Sequence, residues 1–191
     1  MVADPIQVAL RVATALESCG IRYVLGGSLA SSISGEPRST LDVDLVVAMA
    51  DRHVQPFVEA LGADFYADAD ALRRAIETRS SANVIHYSSS TKVDLFVAGG
   101  SPVDEQQLTR RRRVLVATEP DRYLYAYTPE DILLQKLRWY RLSEETSDRQ
   151  WRDIVGIVRV QGTALDREYL RESALLLGVT DLLERALGSD S

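Results

Sequence analysis

The chain has 191 residues, of which 46% are apolar and 26% charged, and its formal net charge is −6. These values are typical of a globular protein of one domain, or of one domain with a small appendage, and they exclude a disordered chain. The acidic balance excludes a surface that is basic throughout and coats nucleic acid, but not a local basic groove. Cys19 is the only cysteine, so it forms no internal disulfide, and a reducing, cytoplasmic setting is expected. The N-terminus lacks the pattern of a signal peptide, and no apolar run is long enough to span a membrane, so no membrane partner is expected.

Hydrophobic periodicity predicts alternating helices and strands up to about residue 127. The predicted helices cover residues 5–19, 28–34, 51–61, 68–78 and 102–111, and the predicted strands cover 21–27, 41–48, 82–87, 92–98 and 114–118. Tyr123, Tyr125 and Tyr127 alternate at strand period, which predicts a further sheet face. Gly20 and Gly62 supply helix stops. Asp51 is a candidate N-cap, but Pro56 favours a later start of that helix. The strands at 82–87 and 92–98 flank a polar turn and predict a hairpin.

The last third of the chain is helical in character. Thr128 as N-cap and Pro129 at the first helical position predict a helix over 128–142. Two or three more helices follow, over roughly 147–161, 166–177 and 180–187. The pattern therefore predicts an α/β core over residues 1–127 and a helical region over residues 128–191 that packs on it.

Acidic residues interrupt two otherwise apolar strands. Asp42 and Asp44 lie two apart in LDVDLVV, so their carboxylates share one strand face while Val43 and Leu45 face a core. Adjacent acids repel unless a proton or cation neutralises them, and Mg²⁺ prefers such oxygen ligands. Asp94 lies in a second such strand, KVDLFV. If the two strands are neighbours, three carboxylates converge into the ligand set for two metal ions. For Asp42 and Asp44 alone, solvent-facing acids on a half-exposed strand are an equal alternative.

A glycine turn precedes the acidic strand. Gly26, Gly27 and Ser28 end one predicted strand and begin a helix. Glycines allow a ligand to approach the backbone closely, and a helix N-terminus favours phosphate. The alternative is a tight strand-to-helix turn that binds no ligand.

The combination of these motifs resembles the nucleotidyltransferase superfamily of the DNA polymerase beta kind, over residues 20–98. The matching segments are Leu25-Gly26-Gly27-Ser28, Leu41-Asp42-Val43-Asp44-Leu45 and Val93-Asp94-Leu95. The resemblance implies an α+β nucleotidyltransferase fold, with a mixed sheet flanked by helices and a helical C-terminal region. It also implies that Gly26, Gly27 and Ser28 hold the phosphates of an NTP.

The same resemblance assigns roles to the three acids. Asp42 and Asp44 would bind both metal ions, and Asp94 would serve as general base or metal ligand. The implied cofactor is Mg²⁺, as two ions, with Mn²⁺ as a substitute. The implied reaction transfers a nucleoside monophosphate from an NTP to an acceptor.

Within the superfamily, the chain is most similar to small bacterial proteins related to the toxins of abortive-infection type IV toxin–antitoxin systems. Arg38 and Thr40 in GEPRSTLDVDLVV and Lys136 in PEDILLQKLRWYR carry this similarity and would contact the nucleotide. Asp148 and Asp153 resemble the toxins' downstream acids, but their spacing departs from the toxin pattern. The similarity implies RNA as acceptor and an antitoxin as partner.

Several alternatives stay open at the level of sequence. The acceptor is RNA, a protein or a small molecule such as an antibiotic, and a non-catalytic nucleotide- or partner-binding protein of the same fold is the competing function. Asp148 and Asp153 equally fit ion pairs with Arg149 or Arg152. The run Arg110–Arg113 fits a solvated helix end better than an RNA contact.

Overall fold

A computed structural model of the protein describes residues 5–36 and 42–188. Helices and strands are numbered separately in chain order. The helices are α1 (Pro5–Ser18), α2 (Gly27–Ser34), α3 (Val54–Leu61), α4 (Ala69–Thr78), α5 (Pro102–Arg110), α6 (Pro129–Leu142), α7 (Asp148–Gln161), α8 (Arg167–Leu177) and α9 (Thr180–Gly188). The strands are β1 (Tyr23–Leu25), β2 (Val43–Val47), β3 (Phe65–Ala67), β4 (Ser81–His86), β5 (Thr91–Val97), β6 (Arg112–Ala117) and β7 (Arg122–Ala126). Short 3₁₀ turns lie at Asp51–His53 and Gly162–Ala164.

The strands form one mixed sheet in the order β3-β4-β5-β2-β1-β7-β6. The β2–β5 and β1–β7 pairs are parallel, and the other neighbouring pairs are antiparallel. Strand β2 therefore lies in the middle of the sheet. This mixed sheet with flanking helices confirms the predicted α+β class.

Contacts within the chain group the described residues into two compact units. The first, here called the sheet unit, comprises residues 5–26 and 42–126. The second, here called the helical unit, comprises residues 27–36 and 127–188. Contacts thus group α2 with the C-terminal helices, whereas the composition of the sequence changes only near residue 127.

The core of the sheet unit forms where α1 and α4 pack on the sheet, with α3 against both helices. Strand β2 places every second side chain in this core, and Val43, Leu45 and Val47 have no exposed surface. Leu16 of α1 and Phe57 of α3 are likewise fully buried. Burying such side chains contributes roughly 1.5–3 kcal/mol each, which fixes the face that each strand presents.

The helical unit is built around α6. Helix α2 packs against α6 and α7, and α8 and α9 complete the unit. Thr128 caps α6 as predicted, because its hydroxyl accepts a hydrogen bond from the Asp131 backbone N–H at 3.2 Å. Leu133 and Leu137 of α6 have no exposed surface.

Most predicted elements are confirmed, with three differences. Helix α3 begins at Val54 rather than at Asp51, because Pro56 is favourable only in the first turn and Asp51 starts the preceding 3₁₀ turn. Strand β3 was not predicted, since three residues are too few for a visible period. Of the run Arg110–Arg113, the first residue ends α5, and the last two begin β6.

Within residues 5–36 and 42–188, no helix combines the length and apolar character that a membrane span requires.

Candidate active site

The acidic strands β2 and β5 are neighbours in the sheet unit, which is the condition that the sequence left open. They pair in parallel, with Asp44 directly opposite Asp94. Neighbouring strands lie about 4.8 Å apart, so the two residues project side by side from one face. Asp42 lies one residue before β2, and the register, extended by one position, sets it level with Lys92.

Burial of the alternate residues holds the acids in place. Val43 and Val93, which flank the acids on the opposite face, have no exposed surface. A one-residue slip of either strand would expose such a valine and bury a carboxylate, so the register is strongly specified. Asp44 and Asp94 are half-buried, and Asp42 is exposed. Two of the three acids are therefore carried by regular strands of a packed sheet, which hold them more firmly than a loop would.

Lys92 lies among these carboxylates, and sequence reasoning missed it. Its ammonium is 2.8 Å from Asp94 Oδ2. The hydrogen bond to Asp94 and the charge of that carboxylate raise the pKa of Lys92, and the charges of Asp42 and Asp44 act in the same direction. The available signal was its position two residues before Asp94, which places both side chains on one strand face. Lys92 thus supplies the positive charge that such a group of acids requires.

The carboxylates fit a divalent metal by donor chemistry. All three candidate ligands offer carboxylate oxygens, the donors that Mg²⁺ prefers, and Asp44 and Asp94 are adjacent. Across the described ranges, no three acidic, histidine or cysteine side chains already form a complete metal-binding cluster. Metal binding by Asp42, Asp44 and Asp94 therefore stays a prediction.

The first glycine of the turn is fixed to the acidic strand. The Gly26 backbone N–H donates to the Asp44 carbonyl oxygen at 2.9 Å, which extends the β1–β2 pairing by one residue. Within the sheet unit, the end of β1 therefore lies beside Asp44.

The second glycine begins α2 in the helical unit. Gly27 has φ +58°, in the left-handed region that glycine adopts without steric cost. The hydroxyl of Ser28 accepts a hydrogen bond from the Arg149 guanidinium at 3.3 Å. Arg149 is exposed and brings a positive charge to the first turn of α2. In the sequence, this arginine is indicated only as an ion-pair partner for Asp148 or Asp153.

Lys136 is buried in the helical unit. Its ammonium lies 2.8 Å from Asp153 Oδ2, and the two side chains are only 6% and 9% exposed. Ser31 of α2 donates to the same carboxylate oxygen at 3.4 Å. Asp153 of α7 thus contacts both α6 and α2. Among the predicted nucleotide contacts, Arg38 and Thr40 lie outside the described residues.

The other predicted acidic residue of this region has a different place. Asp148 is the first residue of α7, and Ser147 caps that helix. An acid in the first helical turn is stabilised by the helix dipole, so Asp148 has a structural explanation of its own. Arg141, five residues after Lys136, forms ion pairs with Asp181 and Glu145.

Comparison with known proteins identifies the fold. No protein-family model matches the chain, and no curated protein sequence matches it. Among solved structures, an antigenic nucleotidyltransferase-like protein from Paracoccidioides brasiliensis is similar over 96% of this chain and 92% of its own, with 19% identity and a TM-score of 0.51. The solution structure of the antibiotic-resistance factor ANT(2″)-Ia is similar over 96% and 97%, with 16% identity and a TM-score of 0.55. ANT(2″)-Ia in complex with adenylyl-2″-tobramycin is similar over 88% and 95%, with 12% identity and a TM-score of 0.52. The chain therefore has the nucleotidyltransferase fold.

Proposed function

We propose that the protein is a metal-dependent nucleotidyltransferase that transfers a nucleoside monophosphate from an NTP to an acceptor hydroxyl. The observation that carries this proposal is the pairing of Asp44 with Asp94 on adjacent parallel strands of a nucleotidyltransferase fold. A new bond forms between the acceptor oxygen and the α-phosphorus. The bond between the α-phosphorus and the bridging oxygen breaks, and pyrophosphate leaves.

Each acid has a distinct task in this proposal. Asp42 and Asp44 hold the divalent ions, and Asp94 accepts the proton of the attacking hydroxyl or completes the metal ligands. When bound, Mg²⁺ supplies the positive charge that stabilises the transferring phosphoryl group. Lys92, which lies 2.8 Å from Asp94, balances the charge of the acids when no metal ion is bound.

In this proposal, the glycine turn and the residues around it bind the phosphates of the NTP. Gly26, Gly27 and Ser28 offer backbone N–H groups and a hydroxyl, and Arg149 adds a cation beside Ser28. The roles assigned to Arg38 and Thr40 rest on the sequence resemblance. The burial of Lys136 with Asp153 favours a role in fixing α6 against α7 over direct contact with the triphosphate.

Isothermal titration with Mg²⁺ and each NTP tests the site. Asp42→Asn/Asp44→Asn should lower NTP affinity at least tenfold, since the variant removes two carboxylates while keeping side-chain size. Glu59→Gln/Glu77→Gln removes the same charge from exposed helix surface of the sheet unit and should bind as the wild type does. Equal binding by wild type and the Asp42→Asn/Asp44→Asn variant would refute the assigned site.

Turnover separates catalysis from binding without chemistry. Labelled ATP, GTP, CTP and UTP are incubated in turn with the protein and a total RNA extract. Label that enters RNA only with Mg²⁺, and not with the Asp44→Ala variant, supports the transferase. Tight NTP binding without incorporation into RNA, protein or a small-molecule panel supports the non-catalytic alternative.

The acceptor has two leading candidates. A small hydroxylated molecule is supported by similarity to ANT(2″)-Ia, which has been solved in complex with adenylyl-2″-tobramycin. An RNA acceptor, with an antitoxin partner, is supported by the resemblance of the Lys136 helix to the toxins. Expression in bacteria distinguishes them, because an antibiotic-modifying enzyme confers resistance, whereas a toxin arrests growth until Asp44→Ala relieves it.

A further inference from the structure

A cavity lies in the sheet unit between α1 and the β6–β7 hairpin. Its volume is about 330 Å³, at the lower end of the range for small-molecule sites. Leu10, Ala13, Thr14 and Glu17 form the α1 wall. The hairpin contributes polar and aromatic side chains, of which Arg113, Arg122, Tyr123 and Tyr125 matter here.

The cavity opens on the sheet face opposite the acids. Asp44 shares its face with Val46, the register partner of Val24, so the face of Asp44 is not that of Tyr23. Tyr23 packs edge-on against Tyr125 with ring centroids 5.9 Å apart and donates its phenol hydrogen to Glu17 at 3.1 Å. Glu17 belongs to α1, so α1 covers the Tyr23 face of the sheet. The cavity, which α1 lines, therefore lies on the side of the sheet away from the candidate active site.

Two guanidinium groups at the cavity have no carboxylate partner among the described residues. Arg122 is exposed and forms no ion pair within residues 5–36 and 42–188, and the same holds for Arg113. The Arg113 guanidinium instead lies 4.4 Å from the centroid of the Tyr123 ring, which restricts its motion. Arginine presents a planar fork of N–H donors that matches phosphate oxygens. These two side chains are therefore suited to an anionic group that the protein itself does not supply.

The remaining lining suits the rest of a nucleotide. Tyr123 and Tyr125 give aromatic surface for a planar ring. The Glu17 carboxylate accepts one hydrogen bond from Tyr23 and has further acceptor capacity for ribose hydroxyls or an exocyclic amine. Asp121 at the rim makes the cavity unsuitable for a simple polyanion, because its charge offsets one arginine.

We propose that this cavity is a second binding site, which holds a nucleoside monophosphate without metal. Arg113 and Arg122 bind the phosphate, Tyr123 and Tyr125 contact the base, and Glu17 accepts hydrogen bonds from the sugar or base. The small volume excludes a dinucleotide. Because the cavity is on the face away from Asp44 and Asp94, the site does not depend on the proposed transferase activity.

The test uses the full chain carrying Asp42→Asn/Asp44→Asn, in EDTA, so that the candidate active site is disabled. Adenosine 5′-monophosphate, adenosine and inorganic phosphate are titrated by calorimetry. The monophosphate should bind saturably, and adenosine and phosphate each at least tenfold more weakly, since each lacks one half of the contacts. Absence of saturable binding of the monophosphate at millimolar concentration would overturn the proposal.

Arginine variants localise the binding. In the same background, Arg113→Gln/Arg122→Gln should weaken monophosphate binding at least tenfold. Arg112→Gln is the matched control, because Arg112 precedes Arg113 on β6, is exposed, and does not line the cavity. Thermal unfolding checks that the variants fold, and Arg122→Gln alone serves if the double variant does not. Equal binding by Arg112→Gln and the double variant would place the ligand elsewhere and refute the assignment.

Discussion

The buried ion pair between Lys136 and Asp153 makes a quantitative prediction about stability. The charged atoms are 2.8 Å apart, and both side chains are less than one-tenth exposed. Removing one partner of such a pair costs about 3–5 kcal/mol, since the other charge stays in a poorly solvated place. For a chain of this size, 1 kcal/mol shifts the Tm by about 2–4 °C, so Asp153→Asn should lower the Tm by about 6–20 °C.

Urea unfolding followed by circular dichroism measures the loss in the free energy of unfolding. Lys136→Met and Asp153→Leu are compared singly and together, and the double variant should recover most of the stability because it removes both buried charges. The exposed pair of Arg159 with Glu36 in the same helical unit, at 2.7 Å, is the matched control. Arg159→Gln should cost at most about 1 kcal/mol, because solvent screens that pair.

Two results would refute this reasoning. Single variants that lose less than about 1 kcal/mol, or a double variant whose loss is the sum of the single losses, would mean that the pair contributes little. The folded double variant also tests the predicted nucleotide contact of Lys136. If NTP affinity survives in Lys136→Met/Asp153→Leu, the lysine is a structural residue, and a selective loss of affinity would restore it as a ligand.

Two further predictions concern the sheet unit. Lys92→Met removes the ammonium from Asp94, so Mn²⁺ affinity measured by calorimetry without nucleotide should rise about three- to tenfold, and an unchanged or lower affinity would contradict competition for that carboxylate. Burial, with a contribution from Glu17, raises the pKa of Tyr23 above its ordinary value of 10.0. The unfolded chain then loses this proton first, so the free energy of unfolding should fall as pH rises above 10.0, and Tyr23→Phe should reduce that slope in urea titrations at several pH values.

Local signals made much of the fold predictable from sequence. Thr128 and Pro129 mark the start of α6, because a hydroxyl cap and a residue without an N–H suit the first turn of a helix. The two-residue spacing of Asp42 and Asp44 indicated a shared face. No local pattern predicted that β2 and β5, which lie about 50 residues apart, would be neighbours in the sheet. That inference required the resemblance to a known family, since strand period defines faces but not partners.

What the sequence did not reveal depends on tertiary contacts. Lys136 has the position of an exposed cation on an amphipathic helix, yet it is buried because Asp153 from α7 supplies the countercharge. Arg149 reaches Ser28 from a helix more than 100 residues away. Lys92 was locally visible, but its importance appears only when Asp94 is known to lie opposite Asp44. The role of a charged side chain thus depends on its tertiary partners, which a single sequence does not specify.

Two lysine–aspartate pairs of equal length have different consequences. Both ammonium–carboxylate distances are 2.8 Å, but Lys92 is 47% exposed whereas Lys136 is 6% exposed. Water can solvate Lys92 as it leaves Asp94, so that exchange for a metal ion costs little, whereas separating Lys136 from Asp153 would leave two poorly solvated charges. An exposed countercharge therefore suits carboxylates that bind a cation. A buried countercharge suits a contact that holds helices together. This difference supports the proposed cation site at the acids of β2 and β5, and it leaves Asp153 out of that site.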